Sequence, residues 1–490
     1  MNFYLLCRAL GSLDPNSFRV TRTTQLIHSL EPAPGIRFSA RPRSQSSTTQ
    51  KELESRDNEI FAHKSGVKCL AIDKKDGQVL VSAGADPSIH VWNLESRDSE
   101  LNHIHQPSAS ISKFSHPDAH THSITSLSVY PFDYEPSSIF STSYDNTLKL
   151  SAIQPTGITP TDTFKLDCTP YTHSFSSQPD SKRLVAVATS EQYVRLVDPR
   201  TGISVQRLPG HSGSVLSVDW APHNPHLLAS SSVDNRALIF DVRRGGFNAA
   251  VASLDMDDPV GLVLPAPETS VSALSQIRPA YSRSARAHSG PVTGIRWTSN
   301  GRHLVTSGQD ARIRVWDAAS GANTLAHFGP RVRNSTTSNL GERAPLLIPK
   351  EFTGAAHETL LWPNFSELDE RGEIFMFELR EGTFIKRLKV PGVPIGVQAR
   401  GKAGAAVKPS ALRATRINDM VLRGSGGSGE GVELFTAHGD GVIRSWVSNE
   451  TDAEPTEAEE EALADRKRKR GVLDDLFKTF FEDGASETPA

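Results

Sequence analysis

Cysteine is nearly absent from this sequence. The 490 residues include three cysteines, Cys7, Cys69 and Cys168, which lie far apart and show no paired Cys or His spacing. This usage fits neither a disulfide framework nor a zinc site, and it favours a reducing compartment. We therefore expect no metal and no cofactor.

A strong charge of one sign and long apolar runs are also missing. The formal net charge is -3, which gives no overall electrostatic attraction for nucleic acid. No apolar run approaches the length of about 18 residues that a membrane-spanning helix needs. We therefore expect neither a direct nucleic-acid site nor a membrane span.

The chain is 37% hydrophobic and too long for one ordinary compact domain, so several domains or one closed repeat architecture would account for it.

Internal repetition is what the sequence has instead. Six segments share an acidic turn residue: Asp86, Asp145, Glu191, Asp234, Asp310 and Asp440. Six residues after each acid stands a terminal position, in the same order Trp92, Ser151, Val197, Phe240, Trp316 and Trp446. Four of the aspartates follow a histidine by 22 or 23 residues: His63, His122, His211 and His288. This spacing is typical of the WD repeat, a unit of about 40–45 residues that forms one four-stranded blade of a propeller.

The recurring histidines and aspartates are interpreted as structural. Alternating apolar stretches such as SVLSVDWAP (214–222) lie between them and predict strands with one buried face. Within such a blade the histidine, the aspartate and the terminal aromatic residue can form a buried polar network. A catalytic or metal-binding constellation is the alternative, but the pairs recur at blade spacing and do not converge on one site. We therefore expect a non-enzymatic protein.

The repeats predict an all-β fold, a seven-bladed WD-repeat β-propeller over residues 59–449. The seventh unit is the degenerate stretch 346–379, which ends in Phe377–Glu378 where Trp–Asp is expected. We expect EIF (59–61) to close the ring as the outer strand of the last blade, whose other strands come from residues 417–447. Outside the blades we predict an N-terminal helix–loop–helix (1–31), a linker (32–58), insertions (near 245–285, 330–345 and 400–431) and a disordered charged tail (450–490).

Longer stretches of the sequence carry a more specific resemblance. They are LDPNSFRVTRTTQLIHSLE (13–31), STSYDNTLKL (141–150), LVAVAT (184–189), LASSSVDNRALIFDVRR (228–244) and RIRVWDAASGANTLAHFG (312–329). With them, residues 1–449 resemble the Cockayne syndrome group A family, WD-repeat substrate receptors of cullin-RING ubiquitin ligases. The resemblance implies a non-catalytic nuclear receptor in transcription-coupled nucleotide excision repair, a monomer within a hetero-complex. Its implied partners are the damaged-DNA-binding adaptor protein of the ligase and, as substrates, the stalled RNA polymerase assembly and its repair translocase.

The resemblance also implies how the adaptor is bound. In receptors of this class a repeat ending in aromatic–Asp–x–Arg docks on the adaptor, and Phe240-Asp241-Val242-Arg243 matches with Phe in place of Trp. Val197-Asp198-Pro199-Arg200 is a weaker match, and the family's N-terminal element inserts into the adaptor. The implied adaptor contacts are Leu5, Leu6, Leu10, Leu13, Asp14, Pro15, Phe18, Arg19, Leu26, Ile27, Arg200, Asp241 and Arg243. The alternatives are arginines that are solvated or that bridge to their own blade.

The two ends of the chain leave other interpretations open. The N-terminal element could pack under the propeller's own floor, since a short amphipathic helix cannot bury its apolar side alone. Residues 1–50 are rich in Arg and Ser with only Asp14 and Glu31 as acids, as in a mitochondrial presequence. The run RKRKR (466–470) is either a nuclear import signal or part of a solvated tail.

A general interaction scaffold in chromatin or RNA processing is the second functional hypothesis. A propeller hydrolase, for which no catalytic motif is present, is the third.

Overall fold

β-strands dominate the computed structural model of this chain. It describes residues 24–40, 60–73, 77–96, 102–133, 137–154, 157–176, 184–259, 285–329, 332, 358–366, 371–390, 416–424 and 432–448. These ranges contain 28 strands, a short helix at 24–28 and a 3-10 turn at Gly246–Ala249. The strands form seven antiparallel sheets of three or four strands and one small parallel sheet. Seven sheets are the seven blades of a β-propeller, so the predicted fold class is confirmed.

Blades 1 to 3 each have four strands. Blade 1 contains β3 (Val67–Ile72), β4 (Val79–Gly84), β5 (Ile89–Asn93) and β7 (Pro107–Ile111). Blade 2 contains β8 (Ile124–Val129), β9 (Ser138–Ser143), β10 (Thr147–Gln154) and β11 (Gly157–Lys165). Blade 3 contains β12 (Pro170–Phe175), β13 (Val185–Thr189), β14 (Tyr193–Asp198) and β15 (Ile203–Pro209).

Blades 4 to 7 continue the ring. Blade 4 contains β16 (Val215–Trp220), β17 (Leu227–Ser232), β18 (Ala237–Asp241) and β19 (Ala250–Ser253). Blade 5 contains β20 (Val292–Trp297), β21 (His303–Gly308) and β22 (Ile313–Asp317). Blade 6 contains β23 (Thr359–Ser366), β24 (Arg371–Glu378) and β25 (Phe384–Lys389). Blade 7 contains β26 (Ile417–Arg423), β27 (Glu433–His438), β28 (Ile443–Ser448) and β1 (Leu30–Pro32).

The apolar core of the ring lies between the blades. The described residues form seven clusters of buried apolar side chains, and each cluster draws its residues from two neighbouring blades. The first strands of neighbouring blades also contact one another, as β3 does with β8 and with β26, so these strands lie innermost. Since every blade buries both faces against neighbours, the ring is stable only when it is closed.

A strand from the N-terminal part of the chain closes the ring. β1 pairs antiparallel with β28, so that Leu30 stands opposite Ser448. Leu30 is completely buried in the apolar cluster between blades 6 and 7. Lys386 Nζ, on β25, donates hydrogen bonds to the carbonyl oxygens of His28 and Leu30 at 3.1 and 3.3 Å. The segment from 24 to 32 is therefore an integral part of the propeller.

The assignment of the closing strand to EIF (59–61) is wrong. Phe61 lies outside any strand and exposes 41% of its surface, and the place beside β28 is taken by β1. The predicted linker 32–58 also contains a strand, β2 (Ile36–Phe38), which pairs in parallel with β6 (His103–His105). Phe38 is buried in the cluster between blades 7 and 1. Residues before 59, where the propeller is predicted to begin, are therefore part of it, Leu30 and Phe38 among them.

Two of the predicted insertions contain blade strands. β19 lies within 245–285 and β26 begins within 400–431. β19 contains neither His nor Asp, so the repeat spacing does not mark it. β26 lies within 417–447, the range predicted to supply strands of the last blade. The degenerate stretch 346–379 supplies β23 and β24. The predicted tail 450–490, residues 1–23 and all of 330–345 except residue 332 lie outside the described residues.

Candidate functional site

The turn aspartates build the hairpins between the second and third strands of the blades. Asp145 Oδ1 accepts the backbone N–H of Thr147 at 3.1 Å, and Asp234 Oδ1 accepts that of Arg236 at 3.1 Å. Asn146 and Asn235, which follow these acids, have φ of 63 and 67, a left-handed conformation that asparagine tolerates. The acidic turn is therefore a local structural device in each repeat.

A hydrogen-bonded network of four side chains runs through blade 5. His288 Nδ1 lies 2.9 Å from Asp310 Oδ1, and His288 Nε2 lies 2.8 Å from Thr306 Oγ1. Trp316 Nε1 donates to the same Thr306 oxygen at 2.9 Å. Burial lowers the pKa of His288, which keeps its ring neutral near pH 7. Burial alone would raise the pKa of Asp310, but the hydrogen bonds from His288 and Arg314 hold it well below its usual value.

The same arrangement recurs in blade 1 and, with one change, in blade 4. In blade 1 the network joins His63, Asp86, Ser82 and Trp92. In blade 4, His211 lies 3.1 Å from Asp234 and 2.7 Å from Ser230 Oγ. Phe240 fills the tryptophan position there, fully buried, and offers no N–H to Ser230. Phenylalanine at the tryptophan position therefore keeps the apolar contact and loses one hydrogen-bond donor.

Blade 2 uses a different histidine from the one that spacing predicts. His120, not His122, lies 2.8 Å from Asp145 Oδ2, and its Nε2 lies 2.8 Å from Ser141 Oγ. His122 Nδ1 instead shares a hydrogen bond with the exposed Thr121 hydroxyl. His120 stands four residues before β8, as His63 does before β3, but the connection between β8 and β9 is two residues longer than that between β3 and β4. The network histidine therefore lies 25 residues before Asp145, beyond the spacing of 22 or 23.

In blades 3 and 7 an arginine four residues after the acid bonds to it, as Arg314 does in blade 5. Arg195 Nη2 donates to Glu191 at 2.8 Å, and Arg444 Nη2 donates to Asp440 at 2.7 Å. Trp446 is fully buried in the cluster that β1 completes. The networks are spread around the ring, one in each of these blades, and within the described ranges no group of three or more His, Cys, Asp or Glu could hold a metal ion. Such a distribution suits a structural role.

Arg243 follows the third strand of blade 4 and is held by its own blade. Asp241, the last residue of β18, is 5% exposed. Its Oδ1 accepts the Arg243 Nε–H at 3.0 Å, and its Oδ2 accepts from Nη2 at 2.8 Å. Despite this paired contact, 64% of the Arg243 side chain is exposed. The guanidinium is therefore fixed in orientation and still accessible.

Arg200 occupies the equivalent place in blade 3. It donates from Nε and Nη2 to the two carboxylate oxygens of Asp198, at 3.4 and 3.3 Å, and its side chain is 70% exposed. These contacts are longer than those of Arg243, so Arg200 is held less firmly. Because both arginines follow the third strand of adjacent blades, they lie on the same side of the ring.

Arg244, the residue after Arg243, is the third exposed arginine of this region. Gln206 Nε2, on β15, donates to the Arg244 carbonyl oxygen at 2.7 Å and so links blade 3 to the turn after β18. The Arg244 side chain is 59% exposed, with its Nε 3.7 Å from Asp241. We call Arg200, Arg243 and Arg244 the arginine face. The carboxylates of Asp198 and Asp241 stay ionised beneath it, because the arginine hydrogen bonds lower their pKa against the effect of burial.

The N-terminal residues implied as adaptor contacts do not all remain available. Ile27 is 4% exposed and packs, with the partly buried Leu26, in the propeller's own cluster between blades 6 and 7. The assignment of Ile27 to a partner surface is therefore corrected, since the segment that closes the ring carries this residue into the core, whereas Leu26 is only partly covered. The other implied contacts lie outside the described residues: Leu5, Leu6, Leu10, Leu13, Asp14, Pro15, Phe18 and Arg19.

In the described part of the chain, no helix has the length and apolar character needed to cross a membrane.

Comparison with known proteins matches the WD domain, G-beta repeat, at residues 56–93, 111–150, 202–241 and 281–317. The chain is 28% identical to the WD repeat-containing protein ATCSA-1 of Arabidopsis thaliana over 327 residues, 56% of this chain and 71% of that protein. It is also 27% identical to the Ribosome biogenesis protein ytm1 of Aspergillus niger over 288 residues, 52% of this chain and 53% of that protein. The chain thus spans about half the length of this second relative. Both the matched repeats and the blade networks lead to one conclusion: the chain is a WD-repeat protein whose repeats form a seven-bladed β-propeller.

Proposed function

We propose that this WD-repeat protein is the substrate-recognition subunit of a cullin-RING ubiquitin ligase that acts in transcription-coupled nucleotide excision repair. In this proposal the protein is not an enzyme, and its task is to position other proteins. The arginine face binds the damaged-DNA-binding adaptor protein of the ligase. Another surface holds the stalled RNA polymerase assembly and its repair translocase for ubiquitination. The protein acts in the nucleus, as a monomer within a hetero-complex.

The observation that carries this proposal is the state of Arg243. Because the buried carboxylate of Asp241 already holds the guanidinium, less side-chain entropy is lost when a partner binds. The planar guanidinium can form paired hydrogen bonds with a partner carboxylate or with carbonyl oxygens. Similarity to ATCSA-1 over 71% of that protein supports the same assignment.

Titration of the full-length protein with purified adaptor tests the proposal. The wild-type protein should bind, and Arg243→Ala should weaken binding by about 2–5 kcal/mol, as truncation of one partner in a desolvated charge pair does. Arg387→Ala is the matched control, because Arg387 is also an exposed arginine, 46% accessible, beside a carboxylate on blade 6. This control should bind as the wild type does.

Thermal unfolding separates lost binding from lost folding. Asp241 keeps the Arg243 backbone N–H and the nearby Arg244 when the side chain is removed. The variant should therefore lose no more than about 1–2 kcal/mol of stability. Absence of any adaptor binding by the folded wild-type protein contradicts the ligase assignment. Undiminished binding by Arg243→Ala removes this arginine from the interface.

An interaction scaffold without a ligase role is the second candidate. Similarity to ribosome biogenesis proteins over about half of their length favours it. This scaffold would hold assembly intermediates in RNA processing through its propeller surfaces. Affinity purification of the full chain followed by mass spectrometry distinguishes the two. Recovery of cullin and adaptor supports the ligase receptor, whereas recovery of pre-ribosomal proteins without them supports the scaffold.

A further inference from the structure

Two exposed apolar residues lie on the outer strand of blade 3. Ile203 and Val205, both on β15, expose 64% and 55% of their surfaces. Isolated exposed aliphatic residues are ordinary on protein surfaces. Here, however, the two are separated by one residue, Ser204, which is itself exposed. They form an apolar strip, and the strip has no cover within the described blade.

A bulge interrupts the pairing of this strand at Val205. The pairing of β14 with β15 shifts between Leu196 and Val197, which pair with Gln206 and Ser204. Val205 therefore has no partner in the ladder. A bulge of this kind changes the direction of a side chain at a sheet edge and is often found beside functional sites.

The apolar strip is continuous with the arginine face. Ile203 pairs with Asp198, the residue that holds Arg200. On the other side, Gln206 follows Val205 and bonds to the carbonyl oxygen of Arg244. β15 also contacts the 3-10 turn that follows Arg244. The strip therefore lies between arginines contributed by blades 3 and 4.

The charges around the strip do not balance. Three exposed arginine side chains, Arg200, Arg243 and Arg244, share the carboxylates of Asp198 and Asp241. A further arginine, Arg207 on the same strand, lies over the Tyr193 ring at 5.0 Å. The surface is therefore apolar at its centre and positively charged at its rim, as a protein–protein interface with an acidic partner would be.

We propose that the apolar strip and the arginine face form a single docking surface for an acidic protein segment. Such a segment carries an apolar side chain, which covers Ile203 and Val205, between carboxylates that bind Arg200, Arg243 and Arg244. Under the proposed function, on which this inference rests, the segment belongs to the adaptor. Ile203 and Val205 then supply the apolar part of adaptor binding, and Arg244 supplies a third charged contact.

Titration of the full chain with purified adaptor, using the double variant Ile203→Asp/Val205→Asp, tests this surface. Burial of one such side chain is worth about tenfold in affinity or more, and the new carboxylates repel an acidic partner. We expect binding to weaken by at least about tenfold at moderate salt. Phe114→Asp is the control, because Phe114 is 86% exposed on the connection between blades 1 and 2. Both variants should retain the wild-type circular dichroism spectrum and melting curve.

Hydrogen exchange of the wild-type protein gives a second measurement that needs no substitution. Residues 203–207 should become protected when the adaptor binds. Unchanged affinity of the double variant, or no protection at 203–207, overturns the inference even if Arg243→Ala weakens binding. A folded wild-type protein that does not bind the adaptor overturns the proposed function, and with it this assignment of the partner. Weakened binding by the double variant with protection at 203–207 supports both.

Discussion

Leu30→Ala tests how the propeller ring is closed. Leu30 has no exposed surface and packs beside Ile27 in the cluster between blades 6 and 7. Truncation of a buried leucine removes its transfer free energy and leaves a cavity, which costs about 2–5 kcal/mol. Because β1 has only 3 residues and Leu30 is the buried one, we expect a loss in the upper half of that range. Such a loss is a large part of the total stability of about 5–15 kcal/mol that a folded protein has.

Urea and thermal unfolding measure this loss. Trp446 is fully buried in the same cluster and is one of six tryptophans in the chain, so tryptophan fluorescence and circular dichroism together follow the unfolding of the ring. A change of 1 kcal/mol moves the melting temperature of a domain of this kind by about 2–4 °C, so we expect a decrease of about 7–20 °C. Unfolding should also become less cooperative, because an open ring exposes one face of each terminal blade.

Phe61→Ala is the control for the alternative closing strand. Phe61 is the aromatic residue of EIF (59–61) and exposes 41% of its surface. Its truncation should change the free energy of unfolding by no more than about 0.5 kcal/mol. Wild-type stability of Leu30→Ala, combined with destabilisation by Phe61→Ala, would refute closure by β1.

The remaining predictions concern the polar networks inside the blades. His120→Ala should lower the free energy of unfolding by about 1–3 kcal/mol, because Asp145 and Ser141 lose a buried partner, whereas His122→Ala should change it by less than about 0.5 kcal/mol. Equal effects of the two variants in urea unfolding would contradict this assignment. Burial lowers the pKa of His90 from its usual 6.5 to about 3, so between these values the unfolded chain takes up a proton that the folded protein does not. The free energy of unfolding should therefore fall on acidification, by up to about 1.4 kcal/mol per pH unit below the usual pKa, and His90→Gln should make this dependence shallower in urea titrations. An unchanged slope would show that His90 is protonated in the folded protein.

The sequence by itself determined the repeat architecture. The acidic turn residues, such as Asp145 and Asp234, act within their own hairpins by accepting N–H groups two residues further on. The pairing of His288 with Asp310 also lies within one repeat. Interactions over short sequence distances recur with the repeat, so spacing reveals them. The number of blades followed from counting these units, including the degenerate one at 346–379.

Only the tertiary structure decided how the ring closes and which surfaces remain exposed. Leu30 and Ser448 stand opposite each other although they lie at the two ends of the described chain, and a three-residue strand has no periodicity to mark it. The choice between His120 and His122 depended on the length of the connection between β8 and β9. The exposure of Ile203 depended on the position of β15 as the outer strand of blade 3. Pairing between distant segments and the direction of a side chain depend on what packs around them, and these neighbours come together only in the folded ring.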